Sequence, residues 1–327
     1  MKIGVLTSGG DAPGMNAAVR SVVRGAHHHR FQVVGIRDGY NGIFARAFDE
    51  LGAHSVSNVL QRGGTFLGTG RCARFLEKSG RAEAASILRS HGIEALVVVG
   101  GNGSYQGAER LQAETGIRVV GIPGSIDNDV GGTDYSIGFD TAINTAMESI
   151  DRIRDTAFSL ARMFFVEVMG RNSGQIAGAV AIASGAEAVV VPEQTLDVGA
   201  LARLIDAGFD AGKDAGIIVV AEGASPGGAA GLAEQVKQRT RHTLDERVVV
   251  LSYTQRGGAP SAADRLLASR LGVAAIQALL AGQDPCVVGV RGGKVVPTPI
   301  ADAMQDAPRF DSTIAALALM LAGIQHS

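Results

Sequence analysis

The chain has 327 residues, a formal net charge of −2, two cysteines and no tryptophan. A balance this close to neutrality argues against a nucleic acid or an anionic membrane held by bulk charge, and leaves only local basic clusters open for such contacts. Cys72 and Cys286 alone build no disulfide framework, which fits a reduced, cytoplasmic setting.

The length allows two lobes, and the 45 glycines supply many tight turns without low complexity. The first strand is expected at residue 2, so the N-terminus does not read as a signal segment. No apolar run reaches the roughly 18 residues that a spanning helix needs. Apolar, β-branched runs predict strands near 2–7, 32–36, 94–100, 117–122, 163–169, 187–191, 216–221, 247–253 and 286–290. Helical periodicity lies between many of them, as at Thr141–Arg154, Val198–Ala211 and Ala262–Leu280. This alternation predicts an α/β fold with mainly parallel sheets covered by helices on both faces. Ser225–Gly231 reads as a flexible glycine-rich loop, too short for an interdomain linker.

Three strand ends carry the chemistry. The first opens into Ser8-Gly9-Gly10-Asp11-Ala12-Pro13-Gly14, and a helical pattern follows through Arg24. The run 93–99 opens into Gly100-Gly101-Asn102-Gly103-Ser104, with a helical pattern through about Gln112. In such strand–turn–helix units the carboxyl end of the strand takes ligands, and glycines with the helix amides favour a phosphate. The run 117–122 empties into Pro123-Gly124-Ser125-Ile126-Asp127-Asn128-Asp129. Its two carboxylates are either an acidic turn or a divided pair, one accepting a proton while the other faces a metal.

No Walker A sequence and no Gly-x-Gly-x-x-Gly fingerprint with a later ribose-binding acid occur. His27-His28-His29 occupy successive helical positions about 100° apart, which suits a solvated helix end better than one shared ion.

Further motifs complete a pattern: Thr7–Asp11, Arg62-Gly63-Gly64-Thr65, Gly100–Gly107, Pro123–Asp129, Gly138-Phe139-Asp140-Thr141-Ala142, Glu167-Val168-Met169-Gly170-Arg171 and Gln255-Arg256-Gly257-Gly258. In this order and spacing, over nearly the whole chain, the sequence resembles the ATP-dependent bacterial 6-phosphofructokinases. The resemblance implies two similar lobes, each a mainly parallel sheet flanked by helices. An ATP-binding lobe is expected over 1–138 plus 254–304, and a sugar-phosphate lobe over 139–253 plus 305–327.

The implied reaction is phosphoryl transfer from ATP to the 1-hydroxyl of fructose 6-phosphate, with Mg2+. By the same resemblance Asp127 is the base, with Ser125 where the family usually has Thr. Arg171 reaches the transferred phosphoryl group. Gly10, Arg71, Cys72, Gly101, Asn102, Gly103, Ser104 and Gly107 bind the nucleotide. Gly103 and Gly107 lack the Asp and Lys of pyrophosphate-using relatives, which favours ATP. Arg162, Arg247 and Arg256 bind the 6-phosphate, while Met169, Gly170 and Glu222 meet the sugar together with Asp129 and Tyr253. Counterparts of Arg162 and Arg247 reach across from a neighbouring subunit in the family, implying a homotetramer with shared sites.

Departures from the family pattern set further expectations. Asn102 stands where an aspartate helps to position magnesium, leaving Asp129 as the main metal-facing residue. A charge lost at about 6 Å weakens magnesium binding by roughly 0.7–3 kcal/mol. Tyr253 replaces a histidine, which opens a shifted acceptor such as sedoheptulose 7-phosphate or tagatose 6-phosphate. The family's site for ADP or phosphoenolpyruvate is matched at Arg20, Arg24, Arg154, Glu187 and Lys213. Ala211 and Asp214 stand where lysines are common, so effector control is expected to be weak. A weakened paralogue that binds nucleotide and sugar phosphate as a regulatory subunit is the alternative of a different class.

Overall fold

The computed structural model describes residues 1–322, which form two compact units. The first comprises Met1–Thr141 with Arg256–Pro308, and the second Ala142–Gln255 with the described residues from Arg309 onward.

The first unit is built on a seven-stranded sheet of order β11-β10-β5-β4-β1-β2-β3. Its parallel centre consists of β1 (Lys2–Ser8), β2 (Gln32–Ile36), β4 (Ala95–Gly100), β5 (Arg118–Pro123) and β10 (Cys286–Arg291). Every residue of β4 is buried, as expected of a strand covered on both faces. The antiparallel edges are β3 (Phe48–Glu50) and β11 (Lys294–Pro299). Neither edge was expected from the sequence. β3 is only three residues long, and β11 carries Pro297 and Pro299, which an edge tolerates but a central strand does not.

From β1 the chain runs to β2 on one side and later returns to β4 on the other, so the strand order reverses between β1 and β4. Ser8 pairs with Gly100 and Gly100 with Pro123, which brings the carboxyl ends of β1, β4 and β5 side by side. Such a reversal opens a crevice outside the strand ends. The helices α1 (Met15–His28) and α4 (Asn102–Thr115) start directly from the first two of these ends. His27–His29 close α1 as an exposed helix end, and no group of three or more metal-ligating side chains occurs among the described residues.

The second unit holds a four-stranded parallel sheet of order β7-β8-β6-β9. Its strands are β6 (Met163–Val168), β7 (Ala188–Val190), β8 (Gly216–Ala221) and β9 (Glu246–Val250). The core beneath it joins Phe165, Ile218 and Val220 to Leu201 and Ile205 of α7 (Val198–Asp210) and to Leu232 and Val236 of α8 (Gly228–Lys237). The strand expected over 247–253 stops at Val250, because Ser252 takes a left-handed φ of 46° and opens a 3-10 turn over Ser252–Arg256. The loop expected over Ser225–Gly231 is likewise shorter. α8 begins at Gly228, where Oε2 of Glu167 accepts the Ala229 amide at 2.7 Å and caps the helix.

The helix α5 (Phe139–Leu160) carries the chain from the first unit into the second. Its start is held by Asp264, near the N-terminus of α9 (Ala262–Ala281). The Asp264 carboxylate accepts from the Gly138 and Thr141 amides, both at 2.8 Å, and from the Thr141 hydroxyl at 2.5 Å. Burial pushes this carboxyl up, and the three bonds it accepts pull the other way. No described helix is long and apolar enough to cross a membrane.

Candidate active site

The acidic loop after β5 is rigidly tied within the first unit. Asn128 adopts a left-handed φ of 49° between the two aspartates. Its buried side chain accepts from the Ser136 amide at 2.8 Å and donates to the Asp134 carbonyl at 3.2 Å. The Ser136 hydroxyl donates to the Ser125 carbonyl at 2.6 Å. Ser125 then links the two carboxylate residues. Its hydroxyl accepts the Asp127 amide at 3.2 Å and donates to Oδ1 of Asp129 at 3.2 Å. Asp127 is only 5% exposed, so its carboxylate is shielded, whereas Asp129 is half-buried.

Two glycine turns lie in succession to one side of this loop, at the ends of β4 and β1. At the end of β1, Gly9 has a φ of 95°, which requires glycine, and Gly10 is exposed. The turn is braced by Thr69, which donates to the Gly9 carbonyl at 3.0 Å, and by Ser104, whose hydroxyl donates to that of Ser8 at 2.9 Å. Asn16 holds the Arg62–Thr65 motif alongside, donating to the carbonyls of Arg62 and Gly63 at 3.0 and 3.2 Å. At the end of β4, Asn102 donates its amide to the Asp129 carbonyl at 2.9 Å. A side chain at Gly103 would project into open space, but one at Gly107 would meet the Phe75 ring at 3.1 Å. Packing therefore already accounts for the glycine at 107, and the donor argument rests on Gly103.

Beside Gly107 lies a feature that the sequence did not reveal. Tyr40 and Phe75 stack with centroids 3.8 Å apart, and the Tyr40 hydroxyl donates to the Ser104 carbonyl at 2.7 Å. Arg81 locks the 3-10 turn Ala73–Leu76 by donating to the carbonyls of Phe75 and Leu76 at 3.0 and 2.6 Å. Its own charge is met by Glu114 at 2.7 Å. Arg71 is exposed and Cys72 half-buried at the mouth of this segment. The signal available in sequence was one aromatic, Phe75, inside the basic stretch Arg71–Leu76.

In the second unit, β6 runs into Met169-Gly170-Arg171. Oε1 of Gln255 accepts the Met169 amide at 2.8 Å, and Gly170 has a φ of 143°. Arg171 is exposed with a left-handed φ of 54°, uncommon for a non-glycine residue. Oε1 of Glu222 accepts the Arg171 amide at 2.8 Å and fixes that conformation. Arg162 and Arg247 come together through a residue that sequence reading passed over. Asp245 accepts from Nε of Arg162 at 2.8 Å and pairs its other oxygen with Arg247. The hydrogen bond from Arg162, with the two guanidinium charges, holds the Asp245 carboxyl below the usual range. Tyr253 is 76% exposed.

A phosphofructokinase family model matches residues 2–279. The chain belongs to the phosphofructokinase family. It is 51% identical over 321 residues to ATP-dependent 6-phosphofructokinase 1 of Thermus thermophilus, covering 98% of this chain and 99% of that one. Identity to the ATP-dependent 6-phosphofructokinase of Streptococcus suis is 49%, over 95% and 92% of the two chains. A solved phosphofructokinase of Saccharomyces cerevisiae aligns with a TM-score of 0.86 and 35% identity over 93% of this chain, which spans 45% of the yeast chain's length. A pyrophosphate-dependent phosphofructokinase from Marinobacter aquaeolei, at 22% identity and a TM-score of 0.83, shares the fold.

Within this family member three of the residues expected at the effector site, Arg154, Glu187 and Lys213, are already engaged. Arg154 donates to the carbonyls of Ser184 and Gly185 at the end of α6 (Gln175–Ser184). Glu187 accepts the Ile217 amide at 2.5 Å, and Nζ of Lys213 donates to the Ala322 carbonyl at 2.8 Å. Arg20 and Arg24 lie on α1 in the other unit, where burial first and Arg24 second lower the Arg20 pKa.

Proposed function

We propose that this protein is an ATP-dependent 6-phosphofructokinase, forming fructose 1,6-bisphosphate and ADP in glycolysis. The observation that carries this reading is the placement of the Ser125–Asp129 loop on the strand next to two phosphate-type turns, which themselves border the strand-order reversal between β1 and β4. The names of relatives about 50% identical over nearly the whole chain support it.

In this reading Asp127 accepts the proton of the 1-hydroxyl as the new O–P bond forms, and Ser125 keeps the loop in register. Gly10, Arg71, Gly101, Gly103 and Ser104 receive the nucleotide phosphates. Cys72 and Gly107 meet the rest of the nucleotide, backed by the buried Tyr40–Phe75 stack. Arg171 offsets charge on the transferred phosphoryl group. Met169, Gly170 and Glu222 meet the sugar, and Arg162, Arg247 and Arg256 take its 6-phosphate, with Tyr253 at the rim. The ATP lobe is 1–138 plus 254–304, and the sugar lobe 139–253 plus 305–327. The active form is a cytoplasmic homotetramer in which neighbouring subunits supply Arg162 and Arg247.

Magnesium suits the residues present. Asn102 uses its nitrogen on the Asp129 carbonyl, which leaves its amide oxygen and one Asp129 carboxylate oxygen to face an ion. One or two protein oxygens besides phosphates and water are the usual magnesium set. When bound, the ion neutralises charge on the nucleotide phosphates.

The reading is tested by steady-state assays with ATP and with pyrophosphate across fructose 6-phosphate, tagatose 6-phosphate and sedoheptulose 7-phosphate. It requires ATP as donor and fructose 6-phosphate as the acceptor of highest kcat/KM. A higher value for another sugar moves the specificity to Tyr253, and turnover with pyrophosphate alone overturns the donor assignment.

A further inference from the structure

Arg256, placed above with the acceptor's 6-phosphate, lies in this structure against the first glycine turn. Its Nη1 donates to the Asp11 carbonyl at 2.8 Å. A Cβ on Gly10 would stand 2.8 Å from Nη1 and 3.3 Å from Cζ, so the guanidinium lies directly on the glycine, which has no side chain to hold it off.

A guanidinium has five N–H donors. Among the described residues the Asp11 carbonyl is the acceptor Arg256 engages, and no carboxylate lies within ion-pair distance. The contrast with Arg162 and Arg247 is direct, since Asp245 already compensates both. Arg256 therefore brings an uncompensated charge and unused donors to an exposed turn.

We propose that Arg256 forms part of the cradle for the donor's terminal phosphates at Gly10, in addition to any contact with the acceptor. The inference rests on the reading above that the Gly10 turn receives those phosphates. Arg256 binds a phosphate oxygen through the N–H groups that face away from Asp11, and its bond to Asp11 fixes the turn at the same time. A side chain at position 10 would displace the guanidinium from this place.

The test is equilibrium binding of a non-hydrolysable ATP analogue and of AMP, without any sugar phosphate, to the wild type, Arg256→Ala and Arg256→Lys. The expected result is at least a fivefold loss of affinity for the triphosphate analogue in Arg256→Ala and a smaller loss in Arg256→Lys, which keeps the charge but not the fork. AMP, which lacks the terminal phosphates, binds all three alike. Equal affinity of the analogue for the wild type and Arg256→Lys, or for any folded Arg256→Ala, overturns the proposal alone. A wild type that binds no nucleotide overturns the donor-site reading and this inference with it.

Discussion

Asn102 donates its side-chain amide to the Asp129 carbonyl at 2.9 Å, latching the start of α4 to the acidic loop. Position 102 thus has a second consequence besides its missing charge. An ionised aspartate has no proton to donate, so it would supply the charge and break the latch. Asn102→Asp is expected to lower the half-saturating magnesium concentration by about threefold or more, while hydrogen exchange over residues 124–130 becomes faster. Asn102→Ala speeds exchange without the gain in magnesium affinity. Magnesium titration combined with exchange mass spectrometry checks both, and unchanged exchange in the two variants contradicts the latch.

Glu222 holds the backbone of Arg171 rather than its guanidinium. Glu222→Ala is expected to lower kcat by roughly 10- to 100-fold, because a left-handed arginine without its anchor no longer keeps its position. Glu222→Gln retains a carbonyl oxygen for the same amide and recovers most of the loss. Recovery absent in Glu222→Gln would instead assign the effect to the negative charge.

The Tyr105 hydroxyl is wholly buried with no hydrogen-bond partner among the described residues, and burial raises its pKa. Removing an unsatisfied buried hydroxyl relieves its desolvation cost. Tyr105→Phe is expected to stabilise the fold by about 1 kcal/mol, read as a higher melting temperature in calorimetry. A lower melting temperature would reveal a partner for that hydroxyl.

Asp284, 6% exposed, accepts from Arg118 and from Gln112, the latter at 2.9 Å. Burial alone would raise its pKa, but the bonds and charge of Arg118, with Gln112, bring it below the usual value. A depressed carboxyl contributes stability above its unfolded pKa of about 4, lost as pH falls through the lower folded value. Asp284→Asn, which weakens charge-assisted hydrogen bonds but keeps an acceptor oxygen, is therefore expected to cost about 2 kcal/mol at neutral pH, with the gap to wild type closing below about pH 4. Denaturant titrations across pH measure it, and a gap that persists at low pH contradicts the ion-pair account.

The parallel strands of both sheets were legible because each is a short, largely apolar run rich in β-branched or aromatic residues, as in Ala95–Gly100. β3 and β11 were not, since a three-residue edge and a strand with two prolines carry no such run. The glycine turns and the acidic loop were readable for a similar reason, being contiguous in sequence. What escaped is long-range. The Tyr40–Phe75 stack joins residues 35 positions apart, the Asp245 bridge reaches back to Arg162, and Arg256 folds onto Gly10 from the far end of the chain. Only tertiary packing creates such pairs.

The central claim, that Asp127 is the base of an ATP-dependent 6-phosphofructokinase, is tested most directly by the rate of fructose 1,6-bisphosphate formation in the wild type and in Asp127→Asn. With saturating magnesium ATP and fructose 6-phosphate, the wild type should turn over. Asp127→Asn should lose about 10²–10⁴-fold in kcat while still binding nucleotide. A wild type that makes no bisphosphate, or an Asp127→Asn variant within tenfold of it, would contradict the account.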